Sequence, residues 1–428
     1  MPLVRDIVYA VGALAASPLW ATRMLRTGKW KTDWPARFGR THVTPVERPT
    51  ILIHAVSVGE VNATRKLVEG LVAHHRDNLR IVISATTDTG IARARQLYET
   101  RHEVVRYPLD FTRSVRRFLD AVQPDVVALM ELELWPTFIG ECANRDVPVA
   151  VINGRLSARS FKTYRKFRFI VGKMFASLAA AAVQDEAYAQ RFIEMGTPAD
   201  RVRISGTMKW DTAAIEDDVP GSGELAVEMG IDRGRPLIVC GSTGPGEEKM
   251  LVDALDGLTD SAGRRVQLIL VPRKPERFDE AAAAMGNPVR RTQAASRKPQ
   301  ADLFLLDTMG EQRKAYALAD VVIVGRSFCP LFGSDMMEPI ALGRPTVIGP
   351  NTGDFADTMA KLLAGDGIVQ VADITEVRAA VSALLGTDRG RQLASRGRMV
   401  ILQQQGATQR HVELIEKLLG HEDAKTRR

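Results

Sequence analysis

A chain of 428 residues is too long for one ordinary core, and 45% apolar with 25% charged residues argues against disorder, so two folded domains are expected. Cys142, Cys240 and Cys329 are far apart and odd in number, without a CxxC spacing or Cys/His cluster, which argues against zinc and a disulfide framework and fits a reducing compartment. The net charge of +7 points to an anionic partner; with 6% aromatics and no binding-module motif, nucleic acid is not expected, and anionic lipid, a phosphorylated substrate or an incidental surface excess remain.

Residues 1–30 form the first segment. Ile7 to Ala21 is largely apolar, with Arg5 before it and Arg23, Arg26, Lys29 and Lys31 after it. The run is shorter than the roughly 20 residues that span a bilayer, and Pro18 interrupts it. A helix lying on an anionic membrane surface is the expectation. A signal peptide cleaved near Ala13-Leu14-Ala15 is one alternative, opposed by Asp6 and the basic flank, and a plain docking helix is the other.

From Thr50 onward strand-like and helical patterns alternate. Strands are predicted at Thr50–Val56, Arg80–Ala85, Val104–Tyr107, Val126–Met130, Val147–Ile152 and Ala179–Gln184. Helices are predicted at Val61–His74, Gly90–Tyr98, Val115–Val122 and Thr137–Arg145. This rhythm predicts a parallel sheet covered on both faces, over residues 31–212. Residues 213–224 are acidic and rich in turn formers, and read as a linker. A second alternation fills 225–400, with strands at Pro236–Gly241, Val266–Pro272, Asp302–Leu306, Val321–Gly325, Pro345–Gly349 and Gly367–Val371. Residues 401–428 close the chain: helices over Arg391–Leu419 end at Gly420, and Glu422–Arg428 reads as a charged tail without order. The expected fold class is α/β, two doubly wound Rossmann-like domains facing a cleft, with ligands outside the carboxyl ends of the strands.

The unusual loops fall at those ends. In the first domain, Ser57 and Gly59 suit a tight turn and Glu60 a helix N-terminus, which a plain cap explains equally well. Glu131 and Glu133 follow a buried strand and precede Pro136 at a helix start; one is expected to cap the helix and the other to bind substrate hydroxyls. Arg155 to Arg168 carries six cations interleaved with aromatics and no acid, a solvated face or a contact for phosphate or anionic lipid. In the second domain, Ser242-Thr243-Gly244-Pro245-Gly246-Glu247-Glu248 is a Gly turn opening a helix, where free N–H groups meet an anion. With Pro272-Arg273-Lys274-Pro275-Glu276-Arg277-Phe278 and Glu338-Pro339, it points to a nucleotide-sugar site in the second half.

These segments, with Asn153–Ser160, Gly206-Thr207-Met208-Lys209-Trp210-Asp211, Asp307-Thr308-Met309-Gly310-Glu311 and Gly349-Pro350, resemble the bacterial Kdo transferases along nearly the whole chain. Those are membrane-associated enzymes of the GT-B glycosyltransferase fold that move 3-deoxy-D-manno-octulosonic acid (Kdo) from CMP-Kdo to the lipid A precursor. The resemblance implies an inverting, metal-independent transfer at the cytoplasmic face of the inner membrane, with CMP-Kdo as donor substrate and no cofactor. It implies that Arg273 and the Met309-Gly310-Glu311 turn hold the CMP phosphate and cytidine, alongside Ser242 and Thr243, and that Glu338 takes the ribose hydroxyls. Ser57, Glu60, Glu131, Glu133, Arg155 and Arg159 would line the acceptor side. The last helix would cross back to the first domain.

The pattern breaks at several points. The family's base is a glutamate before an Arg-aromatic-Gly triplet; here Ala36 precedes Arg37-Phe38-Gly39, and a methyl group cannot take a proton. Asp33, three residues earlier, is the nearest substitute. Gly244, Ser334 and Asn351 stand where the family has histidines, and Asp354-Phe355 replaces an Asn-Phe pair. A non-catalytic homologue that binds nucleotide or anionic lipid, or a transferase with a changed donor or acceptor, are the competing expectations.

Overall fold

The computed structural model describes residues 6, 7, 9, 17, 32–44, 46–75, 78–286, 288–296 and 301–426. The expected helix over Ile7 to Ala21 lies outside these apart from Ile7, Tyr9 and Ser17. No described helix is long and apolar enough to cross a membrane. The chain divides into two compact units, Met1–Thr212 with Gln405–Arg428, and Ala213–Gln404.

The first unit begins with a short helix, α1 (Trp34–Arg37), and then alternates β1 (Thr50–His54), α2 (Val58–Ala63), α3 (Arg65–His75), β2 (Arg80–Ala85), α4 (Asp88–Tyr98) and β3 (Glu103–Arg106). It continues α5 (Thr112–Val122), β4 (Val126–Met130), α6 (Pro136–Asn144), β5 (Val149–Gly154), α7 (Ala158–Lys166), α8 (Arg168–Ala176), β6 (Ala180–Val183), α9 (Glu186–Met195) and β7 (Val202–Ile204). The described strands form one parallel seven-stranded sheet, ordered β3-β2-β1-β4-β5-β6-β7. β1, β2, β4 and β5 are buried along their whole length, as strands covered on both faces must be. Alternate residues of one strand feed opposite cores. Leu52, Val82 and Val127 pack with Phe118 and Phe138, whereas Ile51, Ile53, Ile81 and Ile83 pack with Leu67 and Leu71. The expected single helix over Val61–His74 is instead two, broken at Thr64, whose hydroxyl turns back onto the Val61 carbonyl at 2.8 Å.

The second unit contains α10 (Ser222–Met229), β8 (Leu237–Thr243), α11 (Glu247–Leu255), β9 (Gln267–Pro272), α12 (Phe278–Met285), β10 (Val289–Arg290), β11 (Leu303–Leu305), α13 (Gln312–Leu318), β12 (Val321–Val324) and α14 (Met337–Ala341). β13 (Thr346–Ile348), α15 (Ala356–Ala364), β14 (Val369–Gln370), α16 (Val377–Leu384) and α17 (Asp388–Gln404) complete it. Its parallel sheet runs β10-β11-β9-β8-β12-β13-β14. The predicted linker 213–224 runs into α10, which packs Leu225, Ala226 and Met229 inward.

The last helix, α18 (Ala407–Thr426), belongs to the first unit. Gly420 does not end it, because good helix formers follow and an exposed glycine costs only about 1 kcal/mol; the tail expected to lack order is thus helical through Thr426. Val412, Ile415 and Leu419 sit in the first unit's core, each contributing roughly 2 kcal/mol by burial. Two polar pins fix its start. Asp211 accepts the Gly406 and Thr408 N–H groups at 2.7 and 2.5 Å, and His411 Nε2 accepts the Asn153 N–H at 2.7 Å.

Burial holds His411 down at about 4 and His54, stacked on Tyr107, at about 3. Both are neutral in the folded chain and gain protons only on unfolding, so their contribution is complete above about pH 6.5 and is lost as pH falls from there toward 4. A tenfold difference in proton affinity between the folded and unfolded chain is worth about 1.4 kcal/mol, so each imidazole costs roughly 3 kcal/mol of stability by pH 4. His411→Leu leaves the Asn153 N–H unpaired, so it lowers stability at pH 7.5 by about 2 kcal/mol and flattens the further loss at pH 5. Urea unfolding of both chains at the two pH values measures this; equal acid slopes would remove His411 as a source.

Candidate functional site

The first sheet reverses its strand order between β1 and β4, and the second between β8 and β12, with β10 and β11 also inverted at its edge. Loops leaving the carboxyl ends of such strand pairs diverge and leave a crevice. Non-glycine residues at these ends take left-handed backbone: Glu131 and Asn153 in the first unit, Ser242 and Arg326 in the second, with φ of 51 to 56°. Such conformations cost of order 1 kcal/mol each and persist only where surrounding contacts impose them.

In the first unit, Ser57 and Glu60 form a capping box at α2. Ser57 Oγ accepts the Glu60 N–H and donates to Glu60 Oε1 at 2.9 Å, while Glu60 Oε2 accepts the Val56 N–H at 2.9 Å. Both carboxylate oxygens of Glu60 are therefore engaged in the fold. Glu131 and Glu133 sit nearby, half-buried. Burial, then Glu60, pushes the Glu131 carboxyl above its usual range, opposed by Arg155 and Lys209. Burial also raises Glu133, against a hydrogen bond from Trp135 Nε1 at 3.0 Å. Neither caps α6. Its first N–H groups, those of Thr137 and Phe138, go to the buried Asp110 at 2.9 and 2.8 Å, so the expected division of labour between the two glutamates is corrected. Arg155 is exposed and donates to the Tyr188 hydroxyl at 3.3 Å, and Arg159 lies exposed in the first turn of α7.

Asp33 is the N-cap of α1, its Oδ1 accepting the Ala36 N–H at 3.2 Å. The carboxylate thus lies close to residue 36 and is exposed, while the Ala36 methyl is buried at 7% exposure. Arg37 and Arg106 both donate to the Thr86 carbonyl at 3.2 Å, and Arg106 pairs with Asp88 at 2.8 Å.

In the second unit the Gly turn is braced by two buried carboxylates. Glu247 accepts the N–H groups of Gly244, Arg326 and Phe328 at 2.7, 2.6 and 2.8 Å, tying the loop after β8 to the loop after β12. Glu248 accepts Thr243 Oγ1 at 2.7 Å and a bidentate pair from Arg277 at 2.9 Å. Thr243 and Ser242 are buried and their hydroxyls are spent inside, the latter on Gln312 Oε1 at 3.0 Å, so any ligand meets this turn through its backbone. Gly244 has no room for a side chain, since a Cβ would stand 2.8 Å from Cys329 Sγ and 3.2 Å from Leu331. Ser334 is buried with its hydroxyl unpaired.

Arg273 is exposed just beyond β9, its N–H on the Thr243 carbonyl at 3.1 Å. Glu338 opens α14, and burial followed by Asp335 raises its carboxyl, against Arg313, a Gln312 hydrogen bond and Arg273. Met309 is exposed and Gly310 turns at φ 85° into α13. Glu311 is occupied: Thr308 Oγ1 donates to it at 2.6 Å and Arg291 at 3.1 Å, and these outweigh burial and hold it below the usual range. Sequence reasoning missed Gln312, which links Ser242, Glu338 and the buried Tyr316 (hydroxyl at 3.0 Å). Its only signal is the four-residue spacing to Tyr316 on one helix face.

Residues 32–212 match the family model described as 3-deoxy-D-manno-octulosonic-acid transferase (kdotransferase). The 3-deoxy-D-manno-octulosonic acid transferase of Bordetella pertussis is 32% identical over 434 residues, covering 96% of this chain and 99% of that protein. That of Haemophilus influenzae is 30% identical over 375 residues, covering 86% and 87%. Among solved structures, Acinetobacter baumannii MurG is similar at a TM-score of 0.52 with 16% identity, over 86% of this chain and 99% of that one. Anabaena HepE in complex with UDP is similar at 0.55 with 14% identity, over 87% and 99%. These two likenesses establish the fold.

The buried Glu248–Arg277 pair sets a stability test. Glu248→Gln leaves a guanidinium at 9% exposure without its bidentate carboxylate, a loss of about 3 kcal/mol. Thermal unfolding reads it against Glu276→Gln, an exposed neighbour expected to change nothing.

Proposed function

The chain belongs to the 3-deoxy-D-manno-octulosonic acid transferase family and is a glycosyltransferase of the α/β GT-B class, and on that basis we propose that it moves Kdo from CMP-Kdo to a lipid A precursor. The observation that carries the reading is the gathering of Arg273, Gln312 and Glu338 at the carboxyl-end switch point of the second sheet. In this reading Glu338 accepts the ribose hydroxyls and Arg273 meets the phosphate. The exposed Met309-Gly310 turn, at the N-terminus of α13, faces the base. Glu311 acts indirectly, by fixing that turn through Thr308 and Arg291.

The transfer is inverting and metal-independent. An acceptor hydroxyl attacks the anomeric carbon, the bond from that carbon to the phosphate oxygen breaks, and CMP departs with the electron pair. Arg273 and the N-terminal end of α11 take up the charge that develops on the phosphate. Glu131, raised by burial, and Glu133 bind acceptor hydroxyls in the first unit, with Arg155 beside Glu131, and Arg159 further along α7, for its phosphate groups. The hydroxyl's proton goes to Asp33, whose exposed carboxylate lies against residue 36. The enzyme works at the cytoplasmic face of the inner membrane. One observation favours a second reading, a homologue that binds nucleotide without turnover: the side chain at the family's base position is the buried methyl of Ala36.

A transfer assay with CMP-Kdo and tetra-acylated lipid A precursor separates them. Activity in the unaltered chain, cut at least about 100-fold in Asp33→Asn, supports the first reading and that base. Activity only in Ala36→Glu supports the second for the natural chain. Silence from both folded proteins, with no CMP binding, ends both. Glu338→Gln is expected to weaken CMP binding about tenfold by calorimetry.

A further inference from the structure

A long side chain on left-handed backbone is strained, and Arg326 holds that conformation beside the Gly turn of the second unit. Its φ is 56°, which glycine adopts freely and an arginine keeps only where neighbouring contacts impose it. Those contacts are to its main chain. Glu247 Oε2 accepts the Arg326 N–H at 2.6 Å together with the Gly244 N–H at 2.7 Å, and the Arg326 carbonyl accepts the Gly333 N–H at 2.9 Å. A glycine at 326 would make the same three bonds without strain, so the fold itself does not call for the guanidinium. The side chain is half-buried and runs along the turn, its Cγ 3.4 Å from where a Gly244 Cβ would stand. Its Nη2 donates to the Leu331 carbonyl at 3.1 Å. Arg277, Arg290, Arg291 and Arg313 of the same unit all close ion pairs, whereas no carboxylate of the described residues forms one with Arg326 or Arg273.

Strand order places these two cations. The sheet runs β9-β8-β12, Arg273 follows β9, Arg326 follows β12, and the Gly turn leaves β8 between them. Arg273 is tied to that turn through its N–H on the Thr243 carbonyl at 3.1 Å, and Arg326 through Glu247. One turn is therefore flanked from opposite sides by two arginines without a protein carboxylate. The donor has matching chemistry, because Kdo is a keto-acid sugar whose anomeric carbon bears a carboxylate as well as the bond to phosphate. CMP-Kdo thus presents two anions joined through one carbon, and a guanidinium fork suits a carboxylate. We infer that Arg326 binds the carboxylate of the donor sugar while Arg273 meets the phosphate, and that Arg326 thereby selects an acidic sugar over a neutral one. A neutral donor would leave this half-buried cation unpaired, and that difference is the source of the discrimination. The assignment rests on the function proposed above and names the group that reads the sugar.

Calorimetry without acceptor tests it independently of turnover. The full natural chain, Arg326→Met and Arg326→Gly are each titrated with CMP and with freshly prepared CMP-Kdo. The methionine keeps the length and loses the charge, whereas the glycine also releases the backbone strain, so a loss shared by both does not come from a distorted loop. Expected in both is an affinity for CMP-Kdo at least about tenfold lower, with the affinity for CMP unchanged. Arg326→Lys, which keeps the charge without the fork, recovers part of the loss. Arg273→Met weakens both ligands. Equal losses for CMP and CMP-Kdo in the Arg326 chains overturn the assignment. CMP-Kdo bound equally by the natural and Arg326 chains also overturns it, and leaves the proposed function standing. Binding of neither ligand by the natural chain removes that function and this assignment together.

Discussion

Burying a carboxylate without compensation costs more than a domain of this size can bear, and this chain buries two in succession at one turn. Glu247 and Glu248 are at 0 and 1% exposure. Glu247 is neutralised by three backbone N–H groups drawn from two loops, at the N-terminus of its own helix. Glu248 is neutralised by Arg277 and Thr243. Each solution fixes a piece of backbone: the first clamps the ends of β8 and β12 together, and the second ties the end of β9 to α11. The positive φ at Ser242 and Arg326 is the strain these bonds sustain. The rest of the second unit's crevice hangs from this arrangement, because Arg273 leaves from the end of β9 and Gln312 reaches the loop through Ser242.

The first unit meets the same need differently. Its strand ends at Glu131 and Asn153 are also left-handed, but the pins are the neutral His411, which joins the end of β5 to the returning helix, and the carboxylate of Asp211, which holds that helix's start from the turn beyond β7. The segment that ends the first unit's leading stretch and the helix that returns to it are thus held by the same few atoms. Glu60, which looks like a ligand group in the sequence, serves as half of a capping box. Burial and the nearby Glu60 raise the carboxyls of Glu131 and Glu133, which in the proposed reading are the groups left to meet a ligand.

This division explains what was legible beforehand. Strands buried on both faces announce themselves as β-branched runs, and Arg80–Ala85 and Val126–Met130 match the prediction to the residue. The edge strands Val202–Ile204 and Val289–Arg290 were invisible, because they are two or three residues long and partly exposed, and so have no apolar run. The loops at the strand ends were legible from turn residues after strands. Site roles were not, since Ser242, Thr243, Glu60 and Glu311 have the composition of ligand groups but spend their polar atoms on the fold. Asp110 capping α6 from another loop could not be read from sequence, because the bond spans 27 residues with no local pattern.

The departures from the family pattern divide along the same physical line. At Gly244 the space is closed by Cys329 and Leu331, so losing an imidazole there goes with a repacked wall rather than an empty socket. At Ser334 the packing is closed but the buried hydroxyl has no hydrogen-bond partner among the described residues. Ala36 is a third case. Its methyl fills a buried position, and the charge at that corner is carried by Asp33 on the helix cap, with Asp88 opposing the two arginines behind it. For Asp33 to act as a base it must take a proton while giving up part of its hold on the Ala36 N–H, a cap worth about 1 kcal/mol. That cost is small beside a transfer barrier, so α1 itself is no obstacle to a displaced base. In the proposed reading, the reach of that one exposed carboxylate is what the Asp33→Asn and Ala36→Glu chains compare.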